Sequence, residues 1–438
     1  MRIFKKINEY YKRCPDAVSL VFSFLFVIIV YWPVYRFKFL IGWDDQWAVI
    51  NFYTQGGFNW SNIYTVLSIF YGGQYAPINQ FYYTGVYYFF GYDPMYYHIS
   101  NVFIHLINIV LIYYLLKKVI SRLLNNSDIN PQYVVSLTTL LFAISPLNTE
   151  PVAWISAAKV IIYALFYLLS LHCYCKYLET KKSRYFYLTL FLFLVSFGAK
   201  EQAVTLPICL LLFDYLYNRN LKEKLIWLEK LPFFIIAFLF GYISIQSQGK
   251  ELFETINFYP FYQRVILAFY TLSEYFVKTV APINLSYLYP FPFQIGDAMP
   301  LYLWIYPVAI IIFMLAYYRE WINNKWLVFS SLFFIIHLLF VINLMSLSRF
   351  SVVADRYAYI ATIGLYLIFA ILFVKALKNK VLKKYIAGFG LLYVLYFMSY
   401  AHVHIYTWTN AFTLKSHLKK VIRSRSDFEQ WKIKMKDK

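Results

Sequence analysis

The stretch "AVSLVFSFLFVIIVYWPVYRFKFLIGWDDQWAV", residues 17–49, decides what kind of molecule this is. Its first half carries no charge before Arg36, about the length a helix needs to cross a bilayer. The preceding segment, "MRIFKKINEYYKR", is basic, and no small-residue cleavage site follows, so the run reads as a signal anchor with the N-terminus inside. Just beyond it stand two adjacent carboxylates, Asp44 and Asp45, flanked by Trp43 and Trp47. Neighbouring carboxylates repel, and carboxylates close to hydrocarbon are expensive, so the pair asks for a reason.

The rest of the chain repeats the apolar part of that pattern. Of 438 residues, 61% are hydrophobic and 14% charged, with mean hydropathy +0.54. Soluble domains carry about 25% charged residues, so the predicted class is an all-α polytopic membrane protein. Spanning runs fall at 17–36, 99–117, 133–149, 158–177, 184–199, 202–218, 231–247, 300–318, 326–346, 357–376 and 384–405. Loops such as "KKVISR", "KYLETKKSR", "NRNLKEK", "YYREWINNK" and "KALKNKVLKK" are basic and alternate with "SPLNTEPVAW", "GAKEQ", "QSQGKELFETINF" and "SRFSVVADRY". The positive-inside rule puts the basic set in the cytoplasm and gives about 11 transmembrane helices, with a large first outer loop (37–98) and an outer C-terminus.

The segment 262–280 is apolar enough to cross. Arg264, Glu274 and Lys278 interrupt it, so an amphipathic or re-entrant helix on the outer face is expected. The tail, 409–438, is short and basic yet falls outside, against the charge rule. The net charge of +20 is read as cytoplasmic loops and contact with anionic headgroups, with no nucleic-acid partner. Tyr, Phe and Trp are abundant enough to furnish interfacial belts. Cys14, Cys173, Cys175 and Cys209 have neither metal spacing nor the pattern of a disulfide framework.

Several charged or polar residues stand out against this background. Asp44 and Asp45 have a plain reading, a solvated loop that ends the first span. Their tryptophan flanks suggest a partly buried seat instead, which suits a general base or a divalent-cation ligand. His98, Asn101, His105 and Asn108 lie on one face of the second span, where interhelical hydrogen bonding is the plain reading and His98 the better functional candidate. Lys200–Glu201 joins two apolar runs with almost no loop. Glu150 and Lys159 flank "NTEPVAWISAAK", and Asp355–Arg356–Tyr357 precedes a span. All map to the side of Asp44. Acids and bases gathered at one outer face suit an enzyme acting on a charged lipid; a transporter more often places them near the midplane.

A resemblance enters here. "SPLNTEPVAWISAAKVIIYALFYLLSLHCYCKY", "GWDDQWAV", "YAPINQFYYTGVYYFFGYDPMYYHISNVFIHLINIVLIYYLL", "SFGAKEQAVTLPICLLLFDY", "YFVKTVAPINLSYLYPFP" and "VVADRYAYIATIGLYL" resemble, in family order, the membrane part of the transmembrane and tetratricopeptide-repeat O-mannosyltransferases and their bacterial relatives. The resemblance covers most of 40–370. It implies a GT-C-type membrane domain over 1–408 and an inverting glycosyltransferase using a polyprenyl-phosphate-linked sugar. It implies Asp44 and Asp45 as the catalytic pair, with Asp44 the base. Lys200, Glu201, Arg356 and Lys159 would meet the donor phosphate or sugar, and His98, Asn101, Glu150, Asp355 and Tyr357 would line the site. The family's arginine before "P" is Ala76 here, its "RKD" is Ala158-Lys159-Val160, and no tetratricopeptide repeats are expected in 409–438. Implied partners are membrane lipids and a protein or glycan acceptor, and the implied place is a bacterial inner membrane with the site on its periplasmic or outer face. The alternative is a polytopic transporter or lipid-sugar flippase.

Overall fold

A computed structural model describes residues 13–125, 127–247, 259–344 and 351–423. Among the described residues there is no strand, only an isolated bridge between Tyr71 and Gln74. Six helical stretches are long and apolar enough to cross a membrane: Pro15–Arg36, Pro94–Leu123, Ile155–Thr180, Lys224–Ser247, Leu301–Asn323 and Lys383–Trp408.

Helix α1 is Pro15–Tyr31. The first loop then folds into four pieces: α2 Asp45–Ala48, α3 Phe52–Gln55, α4 Trp60–Ser68 and α5 Pro77–Phe90. Helix α6, Pro94–Leu123, starts at Asp93, whose side chain caps Met95 N. Next come α7 Pro131–Ala143, α8 Thr149–Ala153, α9 Ala158–Thr180, α10 Ser183–Phe197, α11 Leu206–Leu216 and α12 Lys224–Ser247. The last described helices are α13 Phe261–Val280, α14 Ile305–Asn323, α15 Lys325–Leu338, α16 Thr362–Ala376, α17 Lys383–His404 and α18 Ala411–Arg423. Proline opens α1, α5, α6, α7 and α11, where its missing N–H costs nothing.

The core sits where α6, α7, α9, α10, α15 and α16 pack together. It is filled by side chains such as Tyr113, Phe142, Tyr167, Phe193 and Tyr366. Helices α12, α14 and α17 lie around it with most of their apolar surface exposed, as helices facing lipid would. Residues 262–280 form one helix, α13, whose buried face (Gln263, Leu267, Thr271, Tyr275, Lys278) packs on the body. The tail helix α18 begins at the end of the bundle that holds Asp44: Lys38 N donates to Thr409 O at 3.0 Å, and Trp408 stacks on Trp154 at 5.5 Å. Residues 424–438 of the basic tail lie outside the described residues.

Four of the apolar helices, Pro131–Ala143, Ser183–Phe197, Lys325–Leu338 and Thr362–Ala376, are short. At 1.5 Å per residue each falls below the roughly 30 Å of a hydrocarbon core. Three of them meet irregular, deeply buried segments at one end of the bundle, around 144–157, 198–205 and 352–361. Irregular backbone at that depth is tolerated only where protein buries it or where it borders a cavity. Those segments carry Glu150, Lys200, Glu201, Asp355 and Arg356.

Candidate functional site

The two adjacent aspartates play different parts. Asp45 opens α2 and is wholly buried. Its Oδ2 accepts from Leu40 N at 2.7 Å, and its Oδ1 accepts from Ser156 N at 3.1 Å and from Ser156 Oγ. Burial pushes its carboxyl up, the three donors pull it back, and the neighbouring Asp44 charge adds to the rise. Asp45 thus ties the start of the first loop to the turn before α9. Asp44 precedes α2, but its side chain caps nothing, and among the described residues no donor reaches its carboxylate. It borders a cavity of about 50 Å³, room for a few waters, shared with Trp47, Tyr71, Asn79, Ser156 and Lys159. The turn Gly72-Gly73 closes one side, and a Cβ on Gly72 would lie 2.4 Å from the Trp47 ring.

Three cations gather behind that cavity. Arg356 donates its backbone N–H to Glu150 Oε2 at 2.9 Å and its Nη1 to Glu150 Oε1. Its guanidinium lies 5.1 Å from the Tyr357 ring centroid, 5.6 Å from Tyr287 and 5.9 Å from Trp154. Burial works against its charge, but Glu150 and the two phenols outweigh burial and hold the arginine firmly protonated. The buried Lys200 Nζ is 3.2 Å from Glu201 Oε1 and 5.1 Å from the Tyr357 ring. Glu201 is itself exposed at the rim; the protein around its carboxylate strips some water and disfavours the charge, but Lys200 and Lys159 outweigh this and hold the group below its ordinary range. Lys159 Nζ meets Gln74 Oε1 at 3.2 Å and feels the charges of Lys200, Glu201 and Arg356. Lys159 therefore joins the Asp44 cavity to the cation cluster.

Tyr287 links the two halves. Its ring lies 5.5 Å from Trp43 and 5.4 Å from Trp154, and it feels both Arg356 and Asp44. Burial is the main reason its phenol is pushed up to about 12. Asp355 sits further in: Tyr289 OH donates to its Oδ1 at 2.7 Å, and its Oδ2 has no partner among the described residues. Burial and the Glu150 charge push Asp355 up to about 8.

The polar residues of α6 serve as interhelical ties. Asn101 Oδ1 accepts from Tyr82 OH at 2.7 Å. His105 Nδ1 meets Tyr359 OH at 2.7 Å, and Asn108 Nδ2 donates to Ile161 O at 2.9 Å. His98 is buried edge-on against Phe37, away from the cavity lining. Among the described residues no three His, Cys, Asp or Glu side chains gather as a metal site would require. Sequence reasoning missed Tyr287, Trp154, Ser156 and Gln74. The first three lie inside quoted motifs, so a signal existed for them. Gln74 follows the Gly72-Gly73 turn with nothing to mark it.

No protein-family model and no curated protein matches the chain, so the resemblance stands on the motifs quoted above. Among solved structures, a crystal structure of the Archaeoglobus fulgidus oligosaccharyltransferase tethered to an acceptor peptide is similar at a TM-score of 0.45 and 12% identity. The alignment covers 97% of this chain and 59% of that one, so this chain spans about three fifths of its length.

Proposed function

We propose that the chain is a GT-C-type glycosyltransferase that moves a sugar from a polyprenyl-phosphate-linked donor to an acceptor nucleophile, with inversion, on the outer face of a membrane. The observation that carries this reading is the sharing of one cavity. On one side stands Asp44, a carboxylate that no donor among the described residues reaches; on the other stands Lys159, at the front of the Lys200–Arg356 cluster.

The step divides as follows. Asp44 takes the proton of the acceptor as its atom attacks the anomeric carbon. The bond from that carbon to the phosphate oxygen breaks, and the lipid phosphate leaves as an anion. Lys159, Lys200 and Arg356 meet that charge where low dielectric makes fixed cations count for more. Arginine offers a planar fork to phosphate oxygens, and lysine a point charge. Asp45 holds the loop so that Asp44 faces the cavity. A midplane transporter would place these charges at the centre of the bundle; their position at one end favours the transferase.

Asp44→Asn keeps the shape and removes the base. Transfer from a polyprenyl-phosphate sugar by the purified protein should fall by about 10²–10⁴-fold, with the melting temperature unchanged. Wild-type turnover in Asp44→Asn would refute the assignment. The basic loops support about 11 spans. On that topology a cysteine placed at exposed Phe412 on α18 reacts with an impermeant thiol reagent from outside the intact cell.

A further inference from the structure

From Gln46 to Tyr92 the chain contains no Asp, Glu, Lys, Arg or His, a stretch longer than any helix of the molecule. A loop bathed in water has no reason to be uncharged, since exposed surface is where charged residues concentrate. This loop nevertheless exposes many large apolar and aromatic side chains: Trp60 is 86% exposed, Tyr64 73% and Phe89 74%. We infer that residues 46–92 are seated in the lipid leaflet at the candidate-site end, with α4 forming the wall between the bilayer and the cavity beside Asp44.

Helix α4 is two-sided. Trp60, Tyr64 and Leu67 fall on one face at helical spacing and are all exposed. Val66, on the opposite side, is buried and lines the cavity together with Ile69 just beyond the helix end. Three polar side chains of α4, Asn62, Thr65 and Ser68, are satisfied locally. Asn59 Oδ1 caps Asn62 N at 2.8 Å, and Asn62 Nδ2 donates to Tyr53 O and Gly57 O. Thr65 and Ser68 donate to carbonyls one turn back. Side chains that spend their donors on nearby backbone suit a setting with little water. The apolar patch also runs into the lipid-facing side of the bundle. Phe70 meets Tyr75 at 6.0 Å, and Tyr75 meets Phe240 of α12, beside exposed Phe238. Tryptophan and tyrosine at the rim, with apolar rings between, are the side chains that settle at a headgroup boundary.

The seating itself does not depend on the chemistry proposed above. Its consequence does: a donor whose tail stays in the leaflet reaches Asp44 past a single helix. The test uses the full chain in phospholipid nanodiscs, carrying Cys14→Ser and one added cysteine at a time. Trp60→Cys, Tyr64→Cys and Leu67→Cys are spin-labelled, with Asp128→Cys on an exposed loop as the aqueous reference. Collision with oxygen relative to a water-soluble nickel chelate should be several-fold higher at 60, 64 and 67 than at 128. Chelate access at those three positions equal to that at 128 overturns the inference. So does protection from both reagents with dipolar broadening between labels, which would make the patch a contact between copies. Loss of transfer activity in these variants with lipid exposure intact would leave the seating standing and bear only on the access route.

Discussion

The bundle carries a second buried charge cluster at its other end, and the two are built from the same residue types. There, Lys230 on α12 meets Asp214 of α11 at 2.7 Å, both wholly buried. Arg219 bridges Asp214 at 3.0 Å and Glu229 at 2.6 Å, and Tyr174 OH donates to Asp214 at 2.6 Å. Two acids face two bases, and each charge meets its opposite. At the Asp44 end the matching stops short. Arg356 has Glu150 and Lys200 has Glu201, but among the described residues Lys159 meets only an amide and Asp44 meets no donor. A charge at membrane depth costs about 2.5–3.5 kcal/mol on insertion scales. The closed cluster offsets that within the fold. The open one leaves unmatched charge, and that difference is what marks it as a candidate site while the closed cluster reads as a structural tie.

The largest effect should come from breaking the closed cluster. Asp214→Ala strands Lys230 without its closest partner in a dry interior, where removing one member of a buried pair costs about 3–5 kcal/mol. Detergent melting should show that loss. Asp214→Leu combined with Lys230→Met should recover much of it, because apolar residues of similar volume replace buried pairs at little cost. A double variant no better than Asp214→Ala would mean that the charges, and not their mutual pairing, hold α11 and α12 together.

How much of this was legible in the sequence depends on the kind of signal. The runs behind α1, α6, α9 and α17 declare themselves because a bilayer demands length and hydropathy together. The ends of α7, α11, α15 and α16 do not. Residues 357–361 are as apolar as α16, and only packing makes them irregular, whereas Pro146 within 144–149 already marks a break inside an otherwise spanning run. Residues 262–280 were readable as amphipathic, because Arg264, Glu274 and Lys278 interrupt the run. Neighbours in sequence mislead at the aspartates: adjacency suggests a shared task, yet among the described residues Asp45 meets three donors and Asp44 none. The closed cluster was invisible because Asp214 and Lys230 lie 16 positions apart, and only the antiparallel packing of α11 and α12 joins them.

A smaller effect separates the cations. Lys200→Gln and Arg356→Lys should each weaken binding of the polyprenyl-phosphate donor by about tenfold, since charged hydrogen bonds contribute roughly 1.5–3 kcal/mol. Arg356→Lys keeps the charge and loses the fork, so its loss reports geometry. Melting temperatures should move far less than for Asp214→Ala. Donor affinity unchanged in both variants, with stability lowered, would make the Asp44 end a second closed cluster and erase the contrast.

The smallest expected effect concerns Asp355, at the margin between the two kinds of cluster. It is buried beside Glu150 and Arg356, and one carboxyl oxygen has no partner among the described residues. Its carboxyl is held up to about 8 by burial and the Glu150 charge, against an ordinary value near 3.8. Between those two values the unfolded chain has released this proton and the folded chain keeps it. Folded stability therefore falls as pH rises from about 4 to about 8 and levels off above, by proton linkage. Asp355→Asn preserves an acceptor for Tyr289 OH and removes the titration. Melting curves should then show the variant gaining on the wild type by a few degrees, with the gap widening from pH 5 to pH 8. Parallel curves across that range would mean that Asp355 is already ionised in the fold, balanced by Lys278 and Arg356. The Asp44 end would then carry one more anion, and its cations would be closer to fully matched than the contrast with the Asp214 cluster allows.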